Sequence, residues 1–323
     1  MELFLMKIVE DAVEENASDI HFNKMPDGNV TIFFRIGGAK VEYSTIKNGK
    51  YDKLLSFIRY HSAMDFSHPM QPQSGSLVLE NESGKLNCRV SILPTHRFRS
   101  LVLRVVNESK TQSLEDIPYF HENVLTLKKL CEQEAGLILI GGPTGSGKTT
   151  TAYAMIEYLK NHLQKNVITI EDPIEYRQTD IIQMQVNEKA GMDYEVGIKA
   201  VLRHDPDVIV IGEIRDLKTA KNAIRAALTG HLVISTIHAR DNIGNIHRLL
   251  DLGFTKNEIS QVVSGLVNQR LVKSSKGKKA LFEITTDDNL ENLFEQFQND
   301  EITTVTYTTL DEEFLKWKSI DDI

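Results

Sequence analysis

Cysteine is scarce, with two in 323 residues, Cys88 and Cys131. Neither has a C-x-x-C partner or a histidine at ligand spacing, so two reduced thiols are expected and neither a disulfide framework nor a zinc site. No run approaches the roughly 18 consecutive apolar residues that a membrane-spanning helix needs. The acidic start, with Glu2, Glu10 and Asp11, lacks the basic and apolar segments of a signal peptide. The expectation is a cytoplasmic protein whose contact with a membrane is peripheral. Positive charge is also short: 37 Lys and Arg against 45 Asp and Glu leave a net charge of -8. That balance argues against non-specific nucleic-acid binding by the whole surface. Internal repeats and low-complexity tracts are missing, which excludes solenoids. What is present is ordinary globular composition, 41% hydrophobic and 25% charged, in a chain long enough for roughly two domains.

Two grammars divide the chain. Residues 1–106 read as a small α+β domain. A helical pattern spans residues 2–16, and a turn at Pro26-Asp27-Gly28-Asn29 joins two short strands. A helix near Tyr51–Met64 and strands near Leu77–Leu79, Leu86–Leu93 and Leu101–Val106 follow. Residues 107–120 are poor in apolar side chains and read as a linker or hinge. Residues 121–323 alternate short apolar strands (Leu137–Ile140, Val167–Ile170, Val208–Ile211, Leu232–Ile237) with helices, as a buried parallel sheet does. Helices are expected at Ile243–Asp251 and Lys256–Val267, a strand at Ala280–Ile284, and an acidic tail from Asp287. The fold class is therefore α/β with a smaller α+β amino domain.

Between the first of those strands and a helix stands Gly142-Pro143-Thr144-Gly145-Ser146-Gly147-Lys148-Thr149, which fits the phosphate-binding loop G-x-x-x-x-G-K-[ST]. Glycines let backbone N–H groups converge on phosphate oxygens at a helix N-terminus, whose partial charge favours an anion. Lys148 is expected to reach the β- and γ-phosphates and Thr149 to ligate Mg²⁺, with Thr150 completing the nucleotide-binding set. The ligands this implies are ATP and Mg²⁺.

Three further stretches carry the chemistry. Glu213 closes the apolar run Ile209–Ile211 through Gly212, so it emerges at the carboxyl edge of the sheet, where it can orient water directly or through the metal shell. Glu171, Asp172 and Glu175 follow another strand, and clustered carboxylates of this kind favour a cation between them. Spacing does not say which faces the metal; Glu175 is favoured and Glu171 second. His238 ends a strand that His231 begins. The carboxyl end is where a γ-phosphate is met, so a structural or interface role competes with nucleotide sensing for His231.

These boxes together resemble the secretion ATPase superfamily that powers type II secretion, type IV pili and competence pseudopili. Walker A is Gly142–Thr149, the Asp box is Thr169–Glu175, Walker B ends at Glu213 and the His box is Thr229–His238. Ala17-Ser18-Asp19-Ile20-His21 is similar to the opening motif of the family's amino domain, and Asn268-Gln269-Arg270-Leu271-Val272 to the segment after the His box. The resemblance implies a PAS-like amino domain hinged to a RecA-like ATPase domain in a homohexameric ring. It also implies that Arg89 and Arg104 bring positive charge to the phosphates, with Arg97 and Arg99 as weaker candidates. The partner implied is an inner-membrane platform protein of a pilus assembly system, without direct nucleic-acid binding and without zinc. The short, zinc-free pattern with an assembly-like carboxyl end is similar to the competence-pilus branch of Gram-positive bacteria. A retraction or type II secretion motor, and an ATP-gated scaffold with little turnover, are the rival readings.

Overall fold

The computed structural model describes residues 1–323 apart from 63, 68–69, 82–83, 97, 107–111, 179, 188–189, 275–276, 300–304 and 321–323. The described residues fall into two compact units, Met1–Lys110 and Thr111–Ile323.

The amino unit comprises α1 (Glu2–Glu14), β1 (Asp19–Lys24), β2 (Val30–Ile36), β3 (Ala39–Ile46), α2 (Asn48–His61), β4 (Gln73–Asn81), β5 (Gly84–Pro94) and β6 (Arg99–Val106). Its antiparallel sheet has the order β3-β2-β1-β6-β5-β4. Alternation sets which face is covered: Ile20, Phe22, Ile32, Phe34, Leu101 and Leu103 enter one core with Leu5, Ile8 and Val9 of α1. The intervening residues Asp19, Arg35 and Arg104 lie level with one another across the other face. Edge strand β3 was not expected, because its side chains are mostly exposed and show no buried alternation.

The carboxyl unit comprises α3 (Glu122–Cys131), β7 (Gly136–Gly141), α4 (Lys148–Leu163), β8 (Val167–Glu171), β9 (Ile182–Gln185), α5 (Tyr194–Val201), β10 (Val208–Glu213), α6 (Leu217–Leu228) and β11 (Leu232–Ile237). It continues with α7 (Asn242–Asp251), α8 (Lys256–Val262), β12 (Val263–Ser274), β13 (Gly277–Thr285), α9 (Asp287–Gln298) and α10 (Leu310–Ile320). The sheet order is β13-β12-β7-β11-β10-β8-β9, with β13 antiparallel and the other pairs parallel. Successive residues serve opposite cores: Leu137 and Leu139 face one, Ile138 and Ile140 the other. Helices therefore cover both faces, and the carboxyl ends of the parallel strands share one edge. Asp193, Asp216 and Asp241 each cap the helix that follows, accepting from Val196, Thr219 and Gly244 N–H at 2.9, 2.8 and 2.6 Å.

Three expectations change here. The helix expected over Lys256–Val267 stops at Val262, and Val263 onward is β12, the parallel neighbour of the P-loop strand β7. Residues 112–120, expected within a linker, pack on the carboxyl unit: Leu114, Ile117 and Phe120 are buried. Tyr119 N–H donates to Ala280 O at 2.9 Å, and Ala280 N–H to Ile117 O at 2.8 Å. Few apolar residues suffice there because they recur every third position and all point inward. The remainder of that stretch, residues 107–111, lies outside the described residues. The acidic tail forms α9 and α10, whose Leu290, Leu293, Phe294, Phe297, Leu310 and Trp317 are buried. Cys88 and Cys131 are buried free thiols; burial pushes the Cys88 thiol up to about 12, and burial and the Glu132 charge raise that of Cys131.

Candidate active site

Strand β7 delivers the chain into the loop at Gly141, and α4 begins at Lys148. The turn needs glycine where φ is positive, at Gly142 (145°), Gly145 (79°) and Gly147 (89°). Pro143, Thr144 and Gly145 are exposed at the loop tip, whereas Ser146 and Lys148 are buried. Lys148 Nζ donates to Gly142 O at 2.8 Å and Pro143 O at 3.0 Å. Burial lowers its pKa, and the carboxylates of Glu213 and Glu175 pull it back up. Thr149 and Thr150 lie half-buried on the first turn of α4.

Glu213 ends β10 at this edge, with its side chain 20% exposed. Arg215 Nε meets one carboxylate oxygen at 2.8 Å and His238 Nε2 the other at 3.0 Å. The strand end is bulged between Ile211 and Glu213, and Thr236 Oγ1 on β11 donates to Gly212 O at 2.7 Å. Each oxygen thus rests on a nitrogen of a more exposed side chain, Arg215 or His238, which water or a cation can displace, so the arrangement is compatible with either role expected of Glu213.

Glu171 corrects another expectation. It is 5% exposed, and its oxygens accept from Tyr153 Oη at 2.6 Å, Thr169 Oγ1 at 2.6 Å and Gln183 Nε2 at 3.3 Å. Burial raises its pKa against those hydrogen bonds. This carboxyl is a buried strut joining β8, α4 and β9, so neither a catalytic nor a metal role is retained for it. Electrostatics separate the other two acids: Glu175 acts on Lys148, whereas the exposed Asp172 acts on Arg215 and Tyr194.

The two histidines part company. His238 is in the site, while His231 stands before the six-residue strand β11, about 20 Å away at a strand's usual rise. There His231 Nδ1 meets Thr229 Oγ1 at 3.1 Å and Ala226 O at 3.3 Å. The unbroken strand keeps His231 out of the site within one copy of the chain, so a catalytic role for it is not supported there. On the amino unit, Arg89 and Arg104 are registered partners on β5 and β6. Arg104 Nε donates to Asp19 Oδ1 at 2.9 Å with its side chain 64% exposed. Arg99 begins β6 opposite Pro94, and Arg97 lies outside the described residues. Sequence reasoning gave no role to Tyr153, Gln183 or Gln269, whose partners only the fold brings close, nor to Arg215, which pairs with Glu213 two residues before it.

A parallel sheet carrying a P-loop, with a strand-end glutamate and histidine beside it, defines a RecA-like nucleotide-hydrolysing domain. The Type II/IV secretion system protein family model (T2SSE) matches residues 1–308, and the chain belongs to that family, as an ATPase. It is 43% identical over 265 residues to Competence protein ComGA of Bacillus subtilis (strain 168), covering 82% of this chain and 74% of that one. It is 38% identical over 267 residues to Type II secretion system protein E of Pseudomonas aeruginosa, covering 82% of this chain but 53% of that longer one. Among solved structures, the pilus retraction motor PilT with bound ADP superposes with a TM-score of 0.74 at 28% identity, covering 95% of each chain. The Legionella pneumophila ATPase DotB shares the fold, with a TM-score of 0.77 at 19% identity over 99% of this chain and 92% of that one.

Proposed function

We propose that this chain is the cytoplasmic motor of a competence pseudopilus, working as a homohexamer at the inner face of the membrane on an inner-membrane platform protein. The observation that carries the reading is the 43% identity to ComGA. Among the described residues no helix is long and apolar enough to cross a membrane, so the link to the bilayer is given to the platform partner. Extraction of pilin subunits into a growing filament is the work done, and DNA uptake follows from it without the motor itself binding DNA.

In this reading residues 142–150 cradle the phosphates, Lys148 leaves its loop carbonyls for the β- and γ-oxygens, and Glu213 orients the attacking water. His238, whose Nε2 lies 3.0 Å from Glu213, contacts the γ-phosphate. Among the described residues no three His, Cys, Asp or Glu side chains converge as a metal cage, which fits Mg²⁺ held chiefly by phosphates and water. Thr149, Glu175 and Asp172 are the residues that would hold that ion, which would supply positive charge for the phosphates. Arg89 and Arg104 of the amino unit add positive charge at the γ-phosphate, and closing and reopening of the two units converts turnover into movement.

The test is ATPase specific activity against protein concentration, for wild type and Lys148→Ala, with mass measured on the same samples. Activity rising as a hexamer forms and lost in the variant supports the motor. A hexamer that binds ATP without turnover, even with membranes added, favours the scaffold. The full-length likeness to the retraction motor PilT favours retraction as second reading. Deletion removes filaments if the motor assembles them and leaves excess filaments if it retracts them.

A further inference from the structure

Strand β12 runs parallel to β7 with Asn268 level with Gly141. The next residue, Gln269, therefore stands beside the first residue of the P-loop. Its side chain is 0% exposed, and Nε2 donates to the carbonyl oxygen of Ser146 at 2.7 Å. Ser146 is itself 4% exposed, and its hydroxyl has no partner among the described residues. Ser146 is thus held through its main chain. A trans peptide points its C=O and the following N–H in opposite directions. Pinning the Ser146 carbonyl toward β12 therefore turns the Gly147 N–H the other way, into the cradle where phosphate oxygens bind.

The close approach also explains two loop glycines. A Cβ on Gly142 would come within 2.8 Å of the Gln269 carbonyl, and one on Gly147 within 3.2 Å of Gln269 Nε2. Both glycines thus make room for β12 as well as for positive φ. An apolar residue at 269 would leave the Ser146 carbonyl buried without its donor, and the peptide would be free to rotate.

We propose that Gln269 is a positioning residue of the ATPase: from β12 it fixes the Ser146–Gly147 peptide, and so presets the P-loop for the phosphates of the nucleotide. The proposal rests on the reading that residues 142–149 hold those phosphates.

The experiment uses the full chain with Gln269→Met, which keeps the volume and loses the donor, and Gln269→Asn, which keeps the amide but draws it back by one methylene. Dissociation constants for Mg–ADP and for inorganic triphosphate competing with it are measured beside apo thermal midpoints and steady-state ATPase. Loss of one buried hydrogen bond predicts a roughly three- to tenfold weaker Kd for both ligands by the same factor, with KM raised more than kcat is lowered. The apo midpoint of a variant that folds falls as expected for one lost buried hydrogen bond, and only the two ligand constants separate positioning from a purely structural role. Weakening below threefold in either folded variant, or weakening of ADP without triphosphate, overturns the proposal. Lys148→Ala serves as the control on the underlying reading: if it binds ADP like wild type, the P-loop assignment itself fails. If it loses ADP while Gln269→Met does not, only the role of Gln269 fails.

Discussion

Glu171 and Glu213 end neighbouring parallel strands of one sheet, yet the chain treats them in opposite ways. Glu171 is sealed among neutral donors, Tyr153, Thr169 and Gln183. Glu213 is part exposed and held by Arg215 and His238, both more exposed than it is. A carboxyl whose partners are buried has one arrangement, whereas one held by surface side chains can exchange a partner for water or a phosphate at little cost. Position at the sheet edge is thus necessary for chemistry and does not suffice. Glu283 and Glu313, on the far flank of the same unit, repeat the Glu171 pattern. Glu283 accepts from Asn242 N–H at 2.8 Å and Leu310 N–H at 3.2 Å. Glu313 accepts from Phe282 N–H at 2.7 Å and Asn123 Nδ2 at 2.6 Å.

The largest effect comes from setting the two strand ends against each other. Glu213→Gln is expected to lower kcat by about 10²-fold or more while ADP affinity holds, because the general-base contribution is lost and the phosphate cradle is not. Glu171→Gln is expected to keep kcat within about threefold, since a glutamine oxygen still accepts from Tyr153. Equal losses in single-turnover assays would erase the distinction. Next in size is Glu313→Ala, which leaves the Phe282 N–H and the Asn123 amide buried without an acceptor. A stability loss of about 2–3 kcal/mol is expected, read as a lower urea midpoint of the carboxyl unit.

Glu283 extends the comparison to pH. Burial raises its pKa above the ordinary 4.5, against the N–H donors of Asn242 and Leu310. At a pH between the unfolded and folded values, the folded state holds a proton that the unfolded chain has released. The stabilisation is whole below the unfolded value and is lost as pH rises through the folded one. In urea titrations between about pH 5 and 8, wild type should lose stability relative to Glu283→Gln as pH rises, and a flat difference would refute the shift.

The site was legible where chemistry and local order coincide. Gly142–Thr149, Glu213 and His238 announce themselves because a strand, a motif and a helix follow one another in the chain. What escaped depends on contacts between distant segments. Glu171 looked like a metal ligand because its three donors come from Tyr153, Thr169 and Gln183, which no spacing rule collects. Val262-Val263-Ser264-Gly265-Leu266-Val267 read as a continuation of the helix from Lys256 because a short apolar run has no period of its own, although the Thr255–Glu258 capping box opens a helix that ends at Val262. The decisive feature is tertiary: from Val263 the segment pairs in parallel with β7, and Gly265 lies so close to Leu130 of α3 that an added Cβ would meet it at 2.5 Å.

The smallest effect sharpens the rule that partners, more than charge, decide what a polar residue does. Arg270 follows Gln269 and, by alternation, points to the other face of β12. Its Nη1 lies 3.7 Å from Asp311 of α10, with side chains 39% and 78% exposed. An ion pair this long and wet is worth little, so Arg270→Ala should shift the urea midpoint by less than about 0.5 kcal/mol. α10 is instead held by buried Leu310 and Trp317 and by the Glu313 acceptors. A loss as large as that expected for Glu313→Ala would mean that α10 is docked by its surface charge, and the contrast drawn from Glu171 and Glu213 would not extend to this flank.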